Sequence, residues 1–312
     1  MQDFESFEQY AAALGHADLR MLPLRRGRAS WGMFSTEVDG LTVRMARDGG
    51  PCLFEGSIAA DGFALMICFD GVGKVCGNGT PFGPYSVMVA PGGAAIQSTS
   101  LDVVSWMSVF IPASRLRLGG IHARSSPHAC RVFDVPARDY SALKNVLSRV
   151  SIAARSGAFE DNPVGRKEAA QRLTDVAQRI VMGHEIDMEY GQANGRPRRS
   201  RVEIIGRACD ILEAHSGARI HVEDLAGTLG VPVRTLNYVF REQMGISPRH
   251  FVRAYTLNAA RGALRLAEPG SIRVSDIAAR FGIWEWGRFS RDYQQLFGEL
   301  PSATLRRRDV SR

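Results

Sequence analysis

The chain lacks most of what would announce a membrane protein or an enzyme. None of its 312 residues falls in a run approaching 18 uncharged apolar positions, so no membrane-spanning helix is expected. The opening MQDFESFEQY is acidic and polar, unlike the basic-then-apolar pattern of a secretory signal. Five cysteines, Cys52, Cys68, Cys76, Cys130 and Cys209, are odd in number, scattered and never spaced C-x-x-C, which reads as reduced core thiols in a cytoplasmic protein. Seven histidines form no H-x-H pair, and none lies between Leu22 and Arg117 where strand patterns concentrate; the converging imidazoles of a metal-dependent barrel enzyme are missing. There is no G-x-S-x-G elbow, P-loop or G-x-G-x-x-G turn. Gly71-Val72-Gly73-Lys74 and Gly77-Asn78-Gly79 lead into no helical pattern and read as β-turns. No catalytic residue, metal or cofactor is therefore expected.

Lysine is absent from the last third. From Arg196 onward there are 20 arginines and no lysine against 12 acids, a balance of +8, while the residues before it balance at −1. A field confined in this way attracts a polyanion and makes its binding salt-dependent. A solvated basic face explains the charge equally well until a motif accompanies it.

Residues 1 to about 20 suggest a short helix or arm, with Phe4, Phe7 and Tyr10 at helical spacing. From Leu22 to Arg117, short β-branched and apolar segments are broken by glycine and proline. They include Leu41–Ala46, Ala64–Phe69, Tyr85–Ala90 and Val103–Ile111, and their spacing predicts a sandwich or barrel. Trp31, Met66, Phe69, Trp106 and Met107 are candidates for lining an effector pocket there, although apolar residues on strands are more often plain core. Helical stripes return at Tyr140, Leu143, Val146, Leu147 and Val150, and again at Ala169, Leu173, Val176, Ala177, Ile180 and Val181. These stripes either form a dimer interface or pack back on the barrel. Glycines, Pro197 and arginines between 189 and 200 mark a linker.

The last third holds one pattern twice, VEDLAGTLGVPVRTLNYVF and VSDIAARFGIWEWGRFSRDY. Aligned on Gly230 and Gly282, the copies place Leu225, Ala226 and Leu229 opposite Ile277, Ala278 and Phe281, the buried stripe of a short helix. Each glycine then permits the left-handed turn into a second helix, whose inward pairs are Leu236 with Phe240 and Phe289 with Tyr293. A helix, a glycine turn and a second helix are the parts of a helix-turn-helix unit. One copy alone is as consistent with simple helix packing as with DNA reading. Two copies joined by a helix from Ile246 to Glu268 are more specific, because roughly twenty residues span ~30 Å, close to the ~34 Å between successive major-groove faces.

These residues resemble the AraC/XylS transcription regulators over Val202 to Arg308. The most specific stretch is Gly287-Arg288-Phe289-Ser290-Arg291-Asp292-Tyr293 followed by Leu296-Phe297-Gly298-Glu299-Leu300-Pro301, similar to the family's second reading helix and its FG-x-x-P turn. The ending is similar to ethanolamine-operon-type regulators within the family. The resemblance implies an α+β multidomain chain: a cupin-like barrel or jelly roll over 1–135, a helical dimerisation segment over 136–190, a linker over 191–200, and a DNA-binding domain of two helix-turn-helix units over 201–308. It implies double-stranded promoter DNA as partner, a homodimer, a small-molecule effector, and RNA polymerase if the protein activates.

By position in that family, Arg234, Asn237 and Tyr238 match base-contacting sites on the first reading helix. Thr235 shares its outward face, and Arg241, one turn on, suits phosphate. Arginine bonds a guanine edge through two donors, and asparagine pairs with an adenine edge in the same bidentate way. On the second helix Trp286, Arg288 and Arg291 face out. The family's usual small or polar residues are replaced by Ile283-Trp284-Glu285-Trp286, whose indoles pack either on the long helix or on thymine methyls. Two alternatives stand beside a regulator that senses a ligand: a small-molecule-binding barrel enzyme with a basic accessory domain, and a regulator whose N-terminal domain only dimerises.

Overall fold

A computed structural model of the chain describes residues 1–14, 17–58, 61–116, 130–190, 198–215, 220–268 and 270–306. It divides into two compact units. The first is Met1–Met21, Arg28–Gly49 and Phe54–Arg198; the second is Leu22–Gly27, Gly50–Leu53 and Arg199–Arg312. Residues 191–197 of the expected linker lie outside the described residues, as does Pro269 after the long helix.

The elements up to residue 190 are β1 (Gln2–Phe4), α1 (Phe7–Ala13), β2 (Ala17–Pro23), β3 (Trp31–Val38), β4 (Leu41–Asp48), β5 (Cys52–Ile58), β6 (Gly62–Asp70), β7 (Val75–Gly77), β8 (Thr80–Pro81), β9 (Ser86–Pro91), β10 (Ala95–Ser100), β11 (Val104–Pro112) and β12 (Arg131–Asp134), then α2 (Ala137–Arg155) and α3 (Pro163–Tyr190). The N-terminal arm is thus a strand, one short helix and a second strand rather than a helix alone. Seven strands form an antiparallel sheet in the order β1-β3-β4-β11-β6-β9-β12, and five form a second, β2-β5-β10-β7-β8.

Turn chemistry sets the hairpins. Asp39 and Gly40 both take positive φ, 49° and 79°, so β3 and β4 are joined by the two-residue turn whose twist matches the strands. Arg115 clamps that turn through the Asp39 carboxylate at 3.0 Å and carbonyl at 2.6 Å. Asn78 and Gly79, with φ of 43° and 78°, turn β7 into β8 in the same way, so the Gly77-Asn78-Gly79 pattern is a hairpin turn.

The two-residue period of the strands sorts side chains between faces. Val43, Leu65, Ile67, Met107, Val109 and Ile111 share one core with Tyr140, Leu143, Leu147, Val150, Leu173, Val176, Ala177 and Ile180 from the two helices. Both helical stripes therefore pack on the sheet. Each fully buried Val or Leu in such a core contributes roughly 1.5–3 kcal/mol against the entropy of ordering the chain. The other sheet face carries Met66, Cys68, Trp106 and Asp48.

The second unit is helical: α4 (Arg198–Ala214), α5 (Val222–Leu229), α6 (Val233–Met244), α7 (Pro248–Leu266), α8 (Val274–Arg280), α9 (Trp286–Phe297) and α10 (Pro301–Arg306). It holds two cores. Ile205, Leu212, Leu225, Leu229, Leu236, Phe240 and Phe251 fill the first, which also takes in Leu22, Leu24 and Leu53. Leu257, Ala260, Leu264, Ile277, Phe289 and Tyr293 fill the second. The Leu22–Gly27 segment is held by polar bonds as well. The Asn258 amide donates to the Pro23 carbonyl at 3.1 Å, His250 Nε2 meets the Leu24 carbonyl at 3.0 Å, and Arg25 donates to the Gly245 carbonyl at 3.3 Å.

Candidate nucleic-acid interface

The two sequence copies fold as two structural copies with matching caps. Asp224 accepts from the His221 backbone N–H at 3.3 Å, and Asp276 accepts from that of Arg273 at 3.1 Å; each carboxylate satisfies a helix-entry donor and complements the helix dipole. Gly230 and Gly282 take the left-handed conformation at φ 68° and 67°, and each chain then turns into its second helix. Ser247 accepts from the His250 N–H at 3.3 Å and Pro248 opens α7. Nineteen residues make α7 a rod of about 28 Å. Its N-terminal Phe251 packs in the core of the first copy, and its later Leu257, Ala260 and Leu264 pack in that of the second. Both units are fastened to one rod.

On α6, Leu236, Val239 and Phe240 are buried, while Arg234, Thr235, Tyr238 and Arg241 are exposed on the side expected to read DNA. Asn237 is half-buried and its amide donates to the Val233 carbonyl at 3.0 Å, leaving the amide oxygen as an acceptor. Tyr238, 54% exposed, lies under the Arg201 guanidinium at 5.1 Å. Arg201 also pairs with Glu242 and so braces the outer face of α6 from α4. That residue escaped sequence reading, because only the fold brings positions 201 and 238 together.

On α9, Phe289, Tyr293 and Leu296 are buried, and Trp286, Gly287, Arg288 and Arg291 face outward as expected. Arg288 reaches Glu285 at 3.4 Å and Asp292 at 3.9 Å, and Asp292 also pairs with Arg253 of α7. The signature ending is structural. Arg261 of α7, 6% exposed, donates to Glu299 at 2.7 Å and lies over the Phe297 ring at 4.6 Å. Thr304 donates to the same Glu299 oxygen at 2.9 Å and accepts from the Tyr293 hydroxyl at 2.8 Å. Burial raises the Tyr293 pKa and keeps the phenol protonated, as donor to Thr304.

In the first unit, the effector candidates separate. Met66 and Trp106 share one sheet face, while Phe69 packs into the core on the other with Ile67. Trp106 Nε1 donates to Asp48 at 3.0 Å, the Tyr10 hydroxyl donates to the same oxygen at 2.7 Å, and Trp31 lies 5.3 Å from the Tyr10 ring. Asp48 is buried, and desolvation pushes its pKa up to about 6 despite those two donors. Elsewhere an open recess of about 1380 Å³ is lined by Arg115, Asp134, Arg138, Asp139, Asp175 and Arg179 among others. Among the described residues no group of three His, Cys, Asp or Glu is placed to hold a metal ion, and no helix is long and apolar enough to cross a membrane.

Two helix-turn-helix units stand on one rod, each with a second helix exposed along one face, an arrangement suited to reading a duplex. Residues 225–307 match the family model described as a helix-turn-helix domain. The chain is 36% identical over 135 residues to the "Probable thc operon regulatory protein" of Rhodococcus erythropolis, covering 43% of this chain and 41% of that one. It is 35% identical over 106 residues to the "XylDLEGF operon transcriptional activator 1" of Pseudomonas putida, covering 33% and 31%. The chain thus spans less than half the length of either relative. The solved structure of the AraC-like transcriptional activator CuxR is 13% identical, with 83% of this chain and 95% of that one covered at a TM-score of 0.43. Over its C-terminal third the chain is thus similar to operon regulators that carry a helix-turn-helix domain.

Proposed function

We propose that the protein is a cytoplasmic, sequence-specific transcription regulator that binds promoter DNA as a homodimer. The observation that carries this reading is the pair of helix-turn-helix units sharing α7, in a segment with a charge balance of +8. The first reading helix selects bases through Arg234, Asn237 and Tyr238, with Thr235 beside them, and Arg241 holds phosphate. The second contributes Trp286, Arg288 and Arg291. The relatives' printed names, an operon regulatory protein and a transcriptional activator, support control of an operon and, where the control is activation, contact with RNA polymerase.

The N-terminal unit serves the effector and the dimer. The face bearing Trp31, Met66 and Trp106 is where a small apolar effector would sit. Because the helical stripes are used up on the sheet, a dimer through α2 and α3 would use their outer sides, where Ile152 and Val164 are about two-thirds exposed. Mobility shift of the full chain on the DNA upstream of its own locus, against competitor DNA, tests the reading. A discrete complex that survives competitor is expected; equal binding to all sequences refutes it.

A further inference from the structure

The chain has four tryptophans, and the structure treats them in two ways. Trp106 is buried and Trp31 half-buried in the N-terminal unit. Trp284 and Trp286, at the turn that opens α9, are 68% and 42% exposed. Trp284 is mostly exposed, and Trp286 keeps about two-fifths of its surface in solvent. Full burial of so large an apolar side chain is worth several kcal/mol, so one indole mostly and another partly exposed within three residues form the kind of patch that marks a binding surface.

The charges around them say where that surface sits. Glu285, between the indoles, is exposed, and its carboxylate would repel a phosphate backbone. Arg288 is already engaged by Glu285 at 3.4 Å and by Asp292 at 3.9 Å. The head of α9 therefore offers two indoles and an exposed Glu285–Arg288 ion pair whose members can each turn to a base edge, with Arg291 exposed further along. In the major groove the one apolar group on a base edge is the thymine C5-methyl, and the group that suits a carboxylate is the cytosine N4 amine.

We propose that α9 reads a pyrimidine tract, with Trp284 and Trp286 packed on thymine methyls and Glu285 accepting from a cytosine N4 amine. This rests on the reading of the C-terminal domain as a DNA reader and assigns that domain two different tasks. The arginine and asparagine of α6 recognise purine edges, and α9, fixed one rod-length away, recognises methyls. A protein partner for the indoles is less well supported, because they lie on the end of the second helix that enters the groove, in the basic third of the chain.

The test uses the full chain. Duplexes are selected from a randomised library, and the preferred sequence is resynthesised with deoxyuridine in place of thymidine, one position at a time. Loss of each contacted methyl is expected to weaken binding about fourfold, which is ~0.8 kcal/mol for one buried carbon group. The positions affected should lie about one helical turn from the bases sensitive to Arg234→Ala. In Trp284→Ala and Trp286→Ala, whose exposed positions leave the fold intact, the deoxyuridine effect should disappear at one thymine each. A selected site that binds equally well with deoxyuridine throughout overturns the proposal while leaving the DNA reading standing. Failure to select any sequence overturns both. Tryptophan variants that keep full DNA preference yet lose transcriptional activation overturn it in favour of a polymerase contact.

Discussion

Substituting Asp48 should change how the N-terminal domain responds to pH, and the sign can be worked out. Asp48 ends β4 and is buried, with Tyr10 and Trp106 donating to a single carboxylate oxygen. The titratable neighbours facing it are Tyr10 and Cys68, and burial raises the Cys68 thiol far enough to keep it neutral. Desolvation outweighs the two hydrogen bonds from Trp106 and Tyr10, so the pKa rises to about 6 from an ordinary 3.8. The folded state therefore binds a proton more tightly than the unfolded chain. This contribution to stability is full below about pH 4, falls as pH rises through 6, and is gone above it. At ~1.36 kcal/mol per pKa unit the total is about 3 kcal/mol. Asp48→Asn keeps the oxygen that accepts both donors and removes the ionisation, but its amide N–H groups lose ~1–2 kcal/mol where no acceptor meets them. The net expectation is that Asn is destabilising near pH 4.5 and stabilising by ~1–2 kcal/mol at pH 7.5, a rise of roughly 2–8 °C in the melting point for a unit of this size. Differential scanning fluorimetry of both proteins across pH 4.5–8 measures it. Curves for the two proteins that stay parallel over that range would show that Asp48 is ionised throughout, and would refute the reasoning.

Other consequences are simpler to state. Arg234→Ala or Asn237→Ala should cost roughly 1–3 kcal/mol at the right site and blunt discrimination at one base pair; an equal loss on every sequence in a titration would mark the residue as a phosphate clamp. Glu299→Ala removes the carboxylate that the buried Arg261 guanidinium meets at 2.7 Å, and should loosen the second helix-turn-helix unit by about 1.5–3 kcal/mol, seen as faster amide exchange in α9 and α10 of the full chain with α5 and α6 unchanged. Gly230→Ala meets no atom within 4 Å but forces a side chain into φ 68°, so a loss of ~1–2 kcal/mol by thermal melting is expected from backbone strain alone.

Much of this could be read from the chain before it was folded, and what could not shares a cause. Strand segments such as 64–69 and 103–111 declared themselves because apolar runs ended at glycine and proline, whose backbone demands are local. The paired helices declared themselves because Gly230 and Gly282 sit where a helix must stop. Contacts that join distant positions left no such mark. Leu22, Leu24 and Leu53 look like ordinary strand residues, yet they fill the core of the helical unit beside Leu236 and Phe251. Arg261 and Glu299 are 38 residues apart, and nothing local says that one will neutralise the other. One separation was legible and overlooked: Met66 and Phe69 are three apart on a strand of period two, so β6 must send them to opposite faces.

The second helix-turn-helix unit shows why recognition and specificity need not lie in the same residues. Phe289, Tyr293, Glu299 and Pro301 make its ending recognisable, and the first two are buried while Glu299 holds Arg261. Their work is to clamp α9 and α10 onto α7, a requirement that any domain built on this rod must meet whatever DNA it reads. Trp284, Glu285 and Trp286 are all exposed, so packing constrains them far less than it does Phe289 and Tyr293. The indole surface left in water, most of Trp284 and part of Trp286, lowers solubility and adds nothing to folding. The residues that resist explanation by the fold are therefore the ones to which a ligand contact is best assigned, and they lie together at the head of α9.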